Sequence, residues 1–296
     1  MPDDWTVVFE HRSKGPCADR ALVLTSLDIP HEIMLSDERC VVVVPGEFAE
    51  KAKFEIWQYE EENRSDGEAG PVVQPVYMDA IPGVVAYVVV VCLVAWLAGI
   101  GAWGHDWLGA GRIDGTLIRA GEWWRSFTAL TLHSGLKHLV SNIGFGALFG
   151  LLAGRVAGSG VAWLSILLAS GVANILNTIL LDSSHRSIGA STAVFAALGL
   201  VSGFVWRGKL TAQDRWPYRI GPIVGGIALL AYTGTGDANT DIGAHLLGFV
   251  AGFSAGILLI RVAGKLHNQR VQLNSGIAAI AILTLSWIIA LSNTAT

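Results

Sequence analysis

From residue 81 onward the chain alternates long uncharged apolar runs with short polar segments, the pattern of helices that cross a bilayer. A span needs roughly 20 predominantly apolar residues to cover the hydrocarbon core. Seven stretches fit or approach that length: 82–104, 136–156, 159–181, 189–206, 219–235, 242–262 and 274–293. The fourth and fifth are short and rich in small residues. Gly189, Ala193, Gly199 and Gly203 on the fourth, with Gly248 and Gly252 on the sixth, form small-xxx-small patterns that let helix backbones approach closely in lipid. Before residue 81 the pattern is different. An apolar run at 5–9 precedes a helix-compatible stretch at 18–27, closed by Asp28-Ile29-Pro30. Strand-like runs follow at 31–35 and 40–44, then a turn at Pro45-Gly46 and a charge-rich helical segment ending at Glu62. The order strand–helix–strand–strand–helix predicts a small α+β domain over 1–65. Gly, Ser and Pro in 64–74 mark 66–80 as a linker, leaving 81–296 as an all-α polytopic membrane helix bundle.

Composition agrees: 52% of the residues are hydrophobic and 15% charged, where soluble domains carry about 25% charged residues. The charge is divided. Residues 1–80 hold seven Lys+Arg against seventeen Asp+Glu, whereas 81–296 hold thirteen against seven. The basic residues stand singly and form no stripe, which excludes nucleic acid as a partner. Cys17, Cys40 and Cys92 show no metal-binding spacing. Cys92 reads as a small core residue in an apolar run, and Cys17 and Cys40 as a reduced pair able to meet in the folded N-terminal domain. No basic segment followed by an apolar one opens the chain, so no cleavable signal peptide is expected.

Lys and Arg in short loops set orientation. Arg155, the group Arg207, Lys209, Arg215 and Arg219, and the group Arg261, Lys265 and Arg270 fall on one side if there are seven spans. That side is expected to be cytoplasmic, with the acidic N-terminal domain. The segment after span one and the short one before span six then face outward. Arg112, Arg119 and Arg125 in the former weaken this contrast without reversing it.

Polar groups inside spans are costly and mark function by default. At the outer end of span two, His138 and Asn142 are four residues apart and share one helix face, with Ser141 beside them. They suit either a pair satisfying each other between helices or donors to a developing oxyanion. At the start of span four lies Gly189-Ala190-Ser191-Thr192-Ala193. A serine there is ordinarily a helix cap, but small neighbours also leave room for another chain to reach the hydroxyl, near free first-turn N–H groups. In span six, His245 precedes Gly248 and Gly252, so its helix can lie against span four and bring the imidazole to Ser191. A serine beside a neutral imidazole is the minimal nucleophile–base unit. Phe195 could pack on that imidazole. Asp241, one turn before it, reads as a helix N-cap in preference to an orienter of the base.

These elements together resemble the rhomboid family of intramembrane proteases, over nearly the whole membrane body. The family's W-R element matches Trp124-Arg125, and its H-x4-H-x3-N element matches His133, His138 and Asn142. Its G-x-S-G element matches Gly189 and Ser191, and its A-H-x2-G-x3-G element runs from Ala244 through His245 and Gly248 to Gly252. The resemblance implies six core spans plus a seventh C-terminal one. It implies Ser191 as nucleophile and His245 as general base, without an obligatory carboxylate. It further implies His138 and Asn142, with the Ser191 N–H, as the oxyanion hole, and Trp124 and Arg125 as ties for the first outer segment. No cofactor or metal is implied. The substrates would be transmembrane proteins in the lipid bilayer, and a bacterial inner (plasma) membrane is the expected location. One residue departs from the pattern: Thr192 stands where the family usually has Gly. It is the one feature favouring an alternative, an inactive rhomboid-like protein that binds membrane-protein clients. A small-solute transporter is disfavoured, because the halves show no repeat and few ionisable residues fall at mid-depth.

Overall fold

The computed structural model describes residues 4–36, 39–63, 80–180, 185–208, 220–221, 224–226, 228 and 241–293. The chain forms two compact units, Met1–Gly70 and Pro71–Thr296.

In the first unit, β1 (Trp5–His11), α1 (Lys14–Ser26), β2 (Glu32–Ser36), β3 (Arg39–Pro45) and α2 (Ala49–Glu62) follow the expected order. The sheet is antiparallel with β3 in the middle, which is why Val42, Val43 and Val44 are all fully buried. Cys17 and Leu24 of α1 and Ala52 and Ile56 of α2 close the core over Val42 and Val44. Helix α1 starts a turn earlier than the apolar pattern implied, because Pro16 is tolerated in a first turn. It stops where Asp28 adopts a positive φ of 53° ahead of Pro30. Cys17 and Cys40 are both buried and free, and the Cys17 thiol donates to the Cys40 carbonyl at 3.1 Å.

In the second unit, five helices among the described residues are long and apolar enough to cross a membrane. They are α3 (Ile81–Gly99), α7 (Leu136–Ala157), α8 (Ser159–Leu180), α10 (Ile242–Ile260) and α11 (Gln269–Asn293). A shorter apolar helix, α9 (Ser191–Arg207), matches the short fourth run. The fifth run, 219–235, falls largely outside the described residues, as does most of the linker. Between α3 and α7 the chain makes short elements: α4 (Trp107–Gly111), β4 (Ile113–Asp114), α5 (Gly115–Arg119) and α6 (Arg125–Thr128). A two-residue strand, β5 (Arg186–Ser187), precedes α9 and pairs antiparallel with β4.

Helix α9 is the central element: Ala196, Ala197, Leu200 and Phe204 are buried against Ala153, Ala157, Ala162, Ile166 and Ala169 of α7 and α8. Its other face meets α10 backbone to backbone. A methyl group added at Gly252 would strike the Ala196 carbonyl, and one at Gly199 the Phe249 carbonyl. Helix α11 is joined to α8 by Gln272, whose amide donates to Ala157 O and Leu266 O and accepts from Val161 N. Farther along, Trp287 donates to Thr131 at 3.1 Å and packs 4.8 Å from the Trp107 ring. Helix α11 thus helps hold the segment between α3 and α7. An apolar cleft of about 750 Å³ lies between α3, α8 and α11 and reaches Ala190 and Ala193 at its floor. Cys92 departs from the sequence expectation: it is exposed on α3, a helix with few buried residues.

Candidate active site

Ser191 is the first residue of α9. Ala190 occupies the cap position, with no side-chain cap bond. The serine hydroxyl is therefore not used as a cap, and the first-turn N–H groups have no acceptor one turn earlier in their own helix. The approach to Ser191 runs through Gly189, whose φ of +131° favours glycine. A Cβ at Gly189 would lie 2.7 Å from both Cε1 and Nε2 of His138 and 3.7 Å from Ser191 Oγ. The His138 edge, the glycine and the serine hydroxyl therefore share one small space, and a side chain at 189 would fill it.

His138 and Asn142 lie on the first turns of α7. Ser134 Oγ sits 3.1 Å from His138 Nδ1, directing the Nε2 edge toward Gly189. Buried Asn142 donates to the His138 carbonyl, and its own carbonyl accepts from Tyr87 Oη of α3 at 2.8 Å. The His133 ring stands edge-on to His138, 5.1 Å between centroids, and among the described residues neither His133 nitrogen has a hydrogen-bond partner. Burial, reinforced by His138, pushes the His133 imidazole down to about 4, so it is neutral near pH 7.

His245 enters from α10. Its ring is buried and stacks on Phe195 at 4.6 Å and 22°. Phe195 lies one turn beyond Ser191, so the stack holds the imidazole beside the serine end of α9. One turn further, a Cβ at Gly248 would lie 2.6 Å from the Thr192 carbonyl and 3.2 Å from its methyl. Thr192 is thus buried, with its side chain in the helix contact. Among the described residues, His245 Nδ1 has no hydrogen-bond partner. Asp241 takes the cap position expected of it: its carboxylate accepts from Ala244 N–H at 3.0 Å and from Asn177 Nδ2, and lies 2.8 Å from His185 Nε2.

Arg125 is buried and donates to Gly109 O, Arg112 O and Glu122, knitting α4 and α6 together. Trp124 packs among Trp107, Leu132 and Trp287. The segment before Ser191 is tied to this framework by β4–β5, by Gly189 N–H to Ala129 O at 2.9 Å, and by Arg186 to Asp114 at 3.0 Å. Among the described residues no three His, Cys, Asp or Glu side chains cluster as metal ligands. Sequence reasoning missed Tyr87, Ser134, Asn177 and His185. Only Ser134, four residues before His138, carried a local signal.

The apolar helices, with the serine-bearing α9 packed against the histidine-bearing α10, define a multi-pass membrane helix bundle. Residues 120–262 match the family model of the Rhomboid domain, a range that includes all four motif elements. The rhomboid protease GluP of Bacillus subtilis is 32% identical over 150 residues, covering 50% of this chain and 28% of that protein. The putative rhomboid protease YdcA of the same organism is 30% identical over 148 residues, 49% of this chain and 71% of that protein. Rhomboid-like protease 2 of Toxoplasma gondii is 31% identical over 147 residues, 48% of this chain and 50% of that protein. The chain belongs to the rhomboid family and is an integral multi-pass membrane protein.

Proposed function

We propose that the chain is a serine endopeptidase that hydrolyses peptide bonds in or near transmembrane segments of membrane-protein substrates. The observation that carries this reading is the His245 ring stacked on Phe195, one turn from Ser191, with the His138 edge across Gly189 on the other side. In the reaction, Ser191 Oγ attacks the scissile carbonyl carbon and His245 takes its proton. The carbonyl oxygen becomes an oxyanion, held by the Ser191 N–H, His138 and Asn142. The C–N bond then breaks as His245 passes the proton to the leaving amine. Water, deprotonated by His245, releases the acyl group and restores Ser191. Preorganised donors of this kind contribute about 10²–10³ each in rate. His245 Nδ1, without a hydrogen-bond partner among the described residues, fits a dyad without a carboxylate, and Ser134 and Tyr87 support the oxyanion side by fixing His138 and Asn142.

The basic loops favour an orientation with the N-terminal domain in the cytoplasm, and a bacterial plasma membrane agrees with the two Bacillus relatives. The rival reading, an inactive client-binding protein, rests on Thr192 alone, and its side chain is accommodated against Gly248. The test is cleavage of a reporter transmembrane substrate by purified protein in detergent and in liposomes, beside Ser191→Ala and His245→Ala. Product that vanishes in both variants is expected. No product from any form, with no fluorophosphonate label on Ser191, would leave the client-binding reading.

A further inference from the structure

The segment 185–190 delivers Ser191 to the site, and the bonds described above fasten it to one neighbour only. The β4–β5 pairing, Gly115 N–H to His185 O at 3.0 Å, Gly189 N–H to Ala129 O and Arg186 to Asp114 all run to the framework between α3 and α7. None of them reaches α10, which carries His245. The backbone contact of α9 with α10 begins at Thr192 and Gly248, and beside the reacting groups the His245 ring rests on Phe195. Among the described hydrogen bonds, one side chain joins 185–190 to the start of α10: His185 Nε2 lies 2.8 Å from Asp241 Oδ2.

Asp241 is well built to receive it. The carboxylate caps α10 at Ala244 N–H, and Asn177 of α8, itself 3% exposed, donates to both of its oxygens at 3.0 Å. Asn177 also presses on the first turn of α10, where a Cβ at Gly243 would lie 2.5 Å from its Oδ1. One turn later comes His245, whose N–H donates to the Asp241 carbonyl at 3.2 Å. The path from the serine segment to the histidine helix is therefore short: His185 ring, Asp241 carboxylate, then the backbone that bears His245.

We propose that His185 is a positioning residue of the protease site: its bond to Asp241, braced by Asn177, fixes the spacing between Ser191 and His245 at the end of the helix pair ahead of its backbone contact. The assignment rests on the protease reading above. His185 touches no reacting atom. It acts by holding two groups whose alignment sets the rate, and misplacement by about 1 Å can cost on the order of 100-fold.

Full-length protein carrying His185→Ala, His185→Gln or Asp241→Ser is compared with the wild type. Glutamine places an amide donor near the position of Nε2. Serine keeps the helix cap but is too short to reach His185. Three readouts are taken: kcat and KM on the reporter, the rate of fluorophosphonate labelling, and hydrogen exchange of peptides covering 185–195 and 246–258. Expected for His185→Ala is a fall of roughly ten- to 100-fold in kcat with KM within about twofold, and faster exchange confined to 185–195. His185→Gln recovers most of the rate, Asp241→Ser behaves like His185→Ala, and the double variant is no worse than either single one, as expected of partners in one contact. Wild-type rates in His185→Ala overturn the assignment, as does equal loss in His185→Ala and His185→Gln with exchange raised in both peptides. Should the wild type neither cleave nor label, the protease reading fails on its own. Local loosening of 185–195 would then still support the tether, and unchanged exchange would refute it.

Discussion

Thr192 follows the proposed nucleophile, and its surroundings explain how a β-branched residue fits. Its methyl meets Gly248, so the added volume is taken up by a glycine on the partner helix and not by the space around the Ser191 hydroxyl. Replacing it with glycine removes a buried methyl contact and adds backbone freedom at a helix start. Thr192→Gly is expected to lower stability by about 1–2 kcal/mol and to change reporter cleavage by less than about threefold; thermal melting and kcat/KM in detergent check both. A large gain in rate would mean that Thr192 crowds the site. His133 gives a second expectation. Its folded value of about 4 lies below the ordinary 6.5 because burial, with His138 adding to it, disfavours the charge. Between those values the unfolded chain binds the proton and the folded one does not, so stability falls as pH drops from about 6.5 to 4. Melting temperatures across pH 4–8 should show that decline, and His133→Asn should make it shallower. At this scale the sequence exposes residues whose neighbours are local, such as His138 with Asn142. It hides Tyr87 on Asn142, because a bond across 55 positions leaves no periodic trace.

At the scale of elements, apolar runs locate the long helices to within a few residues, since span length is imposed by the bilayer. The misses have physical causes. Helix α3 ends at Gly99, ahead of the expected 104, where Gly101 and Trp103 take positive φ values of 55° and 59°. Helix α11 begins at Gln269, five residues early, because its first turn is polar and Gln272 is spent on carbonyls of neighbouring segments. The β4–β5 pair is only two residues long and cannot be read from alternation. The glycine stripes were legible and carry an expectation. Gly252 lies against the Ala196 backbone, whereas a Cβ at Gly144 on α7 would meet none of the described residues within 4 Å. Gly252→Ala should therefore push α9 and α10 apart, lowering the melting temperature and cutting cleavage at least about tenfold. Gly144→Ala should be neutral or stabilising by up to about 1 kcal/mol. Equal effects of the two would refute backbone contact as the reason for the stripe.

At the scale of the whole molecule, two units differ in what holds them together. Met1–Gly70 has its own core of Cys17, Leu24, Val42, Val44, Ala52 and Ile56 around a three-stranded sheet, as a domain that folds alone requires. It carries seven Lys+Arg against sixteen Asp+Glu, which opposes binding to anionic headgroups. Working the other way, Phe54 and Trp57 of α2 are more than half exposed, with ring centroids 6.0 Å apart. An exposed pair of this kind favours an interface, by about 1.5–3 kcal/mol for a buried large apolar side chain. Repulsion of nine net negative charges, at roughly 1 kcal/mol per charge near the surface, outweighs that gain at low salt. Isolated residues 1–70 are therefore expected to stay at the bottom of a flotation gradient with vesicles rich in anionic lipid at low salt. Because this repulsion is screened over about 3 Å at 1 M salt, any weak binding driven by Phe54 and Trp57 should emerge only at high ionic strength and vanish in a Trp57→Ser variant. Firm flotation at low salt would show that the aromatic pair, not the charge, governs how this domain meets a bilayer.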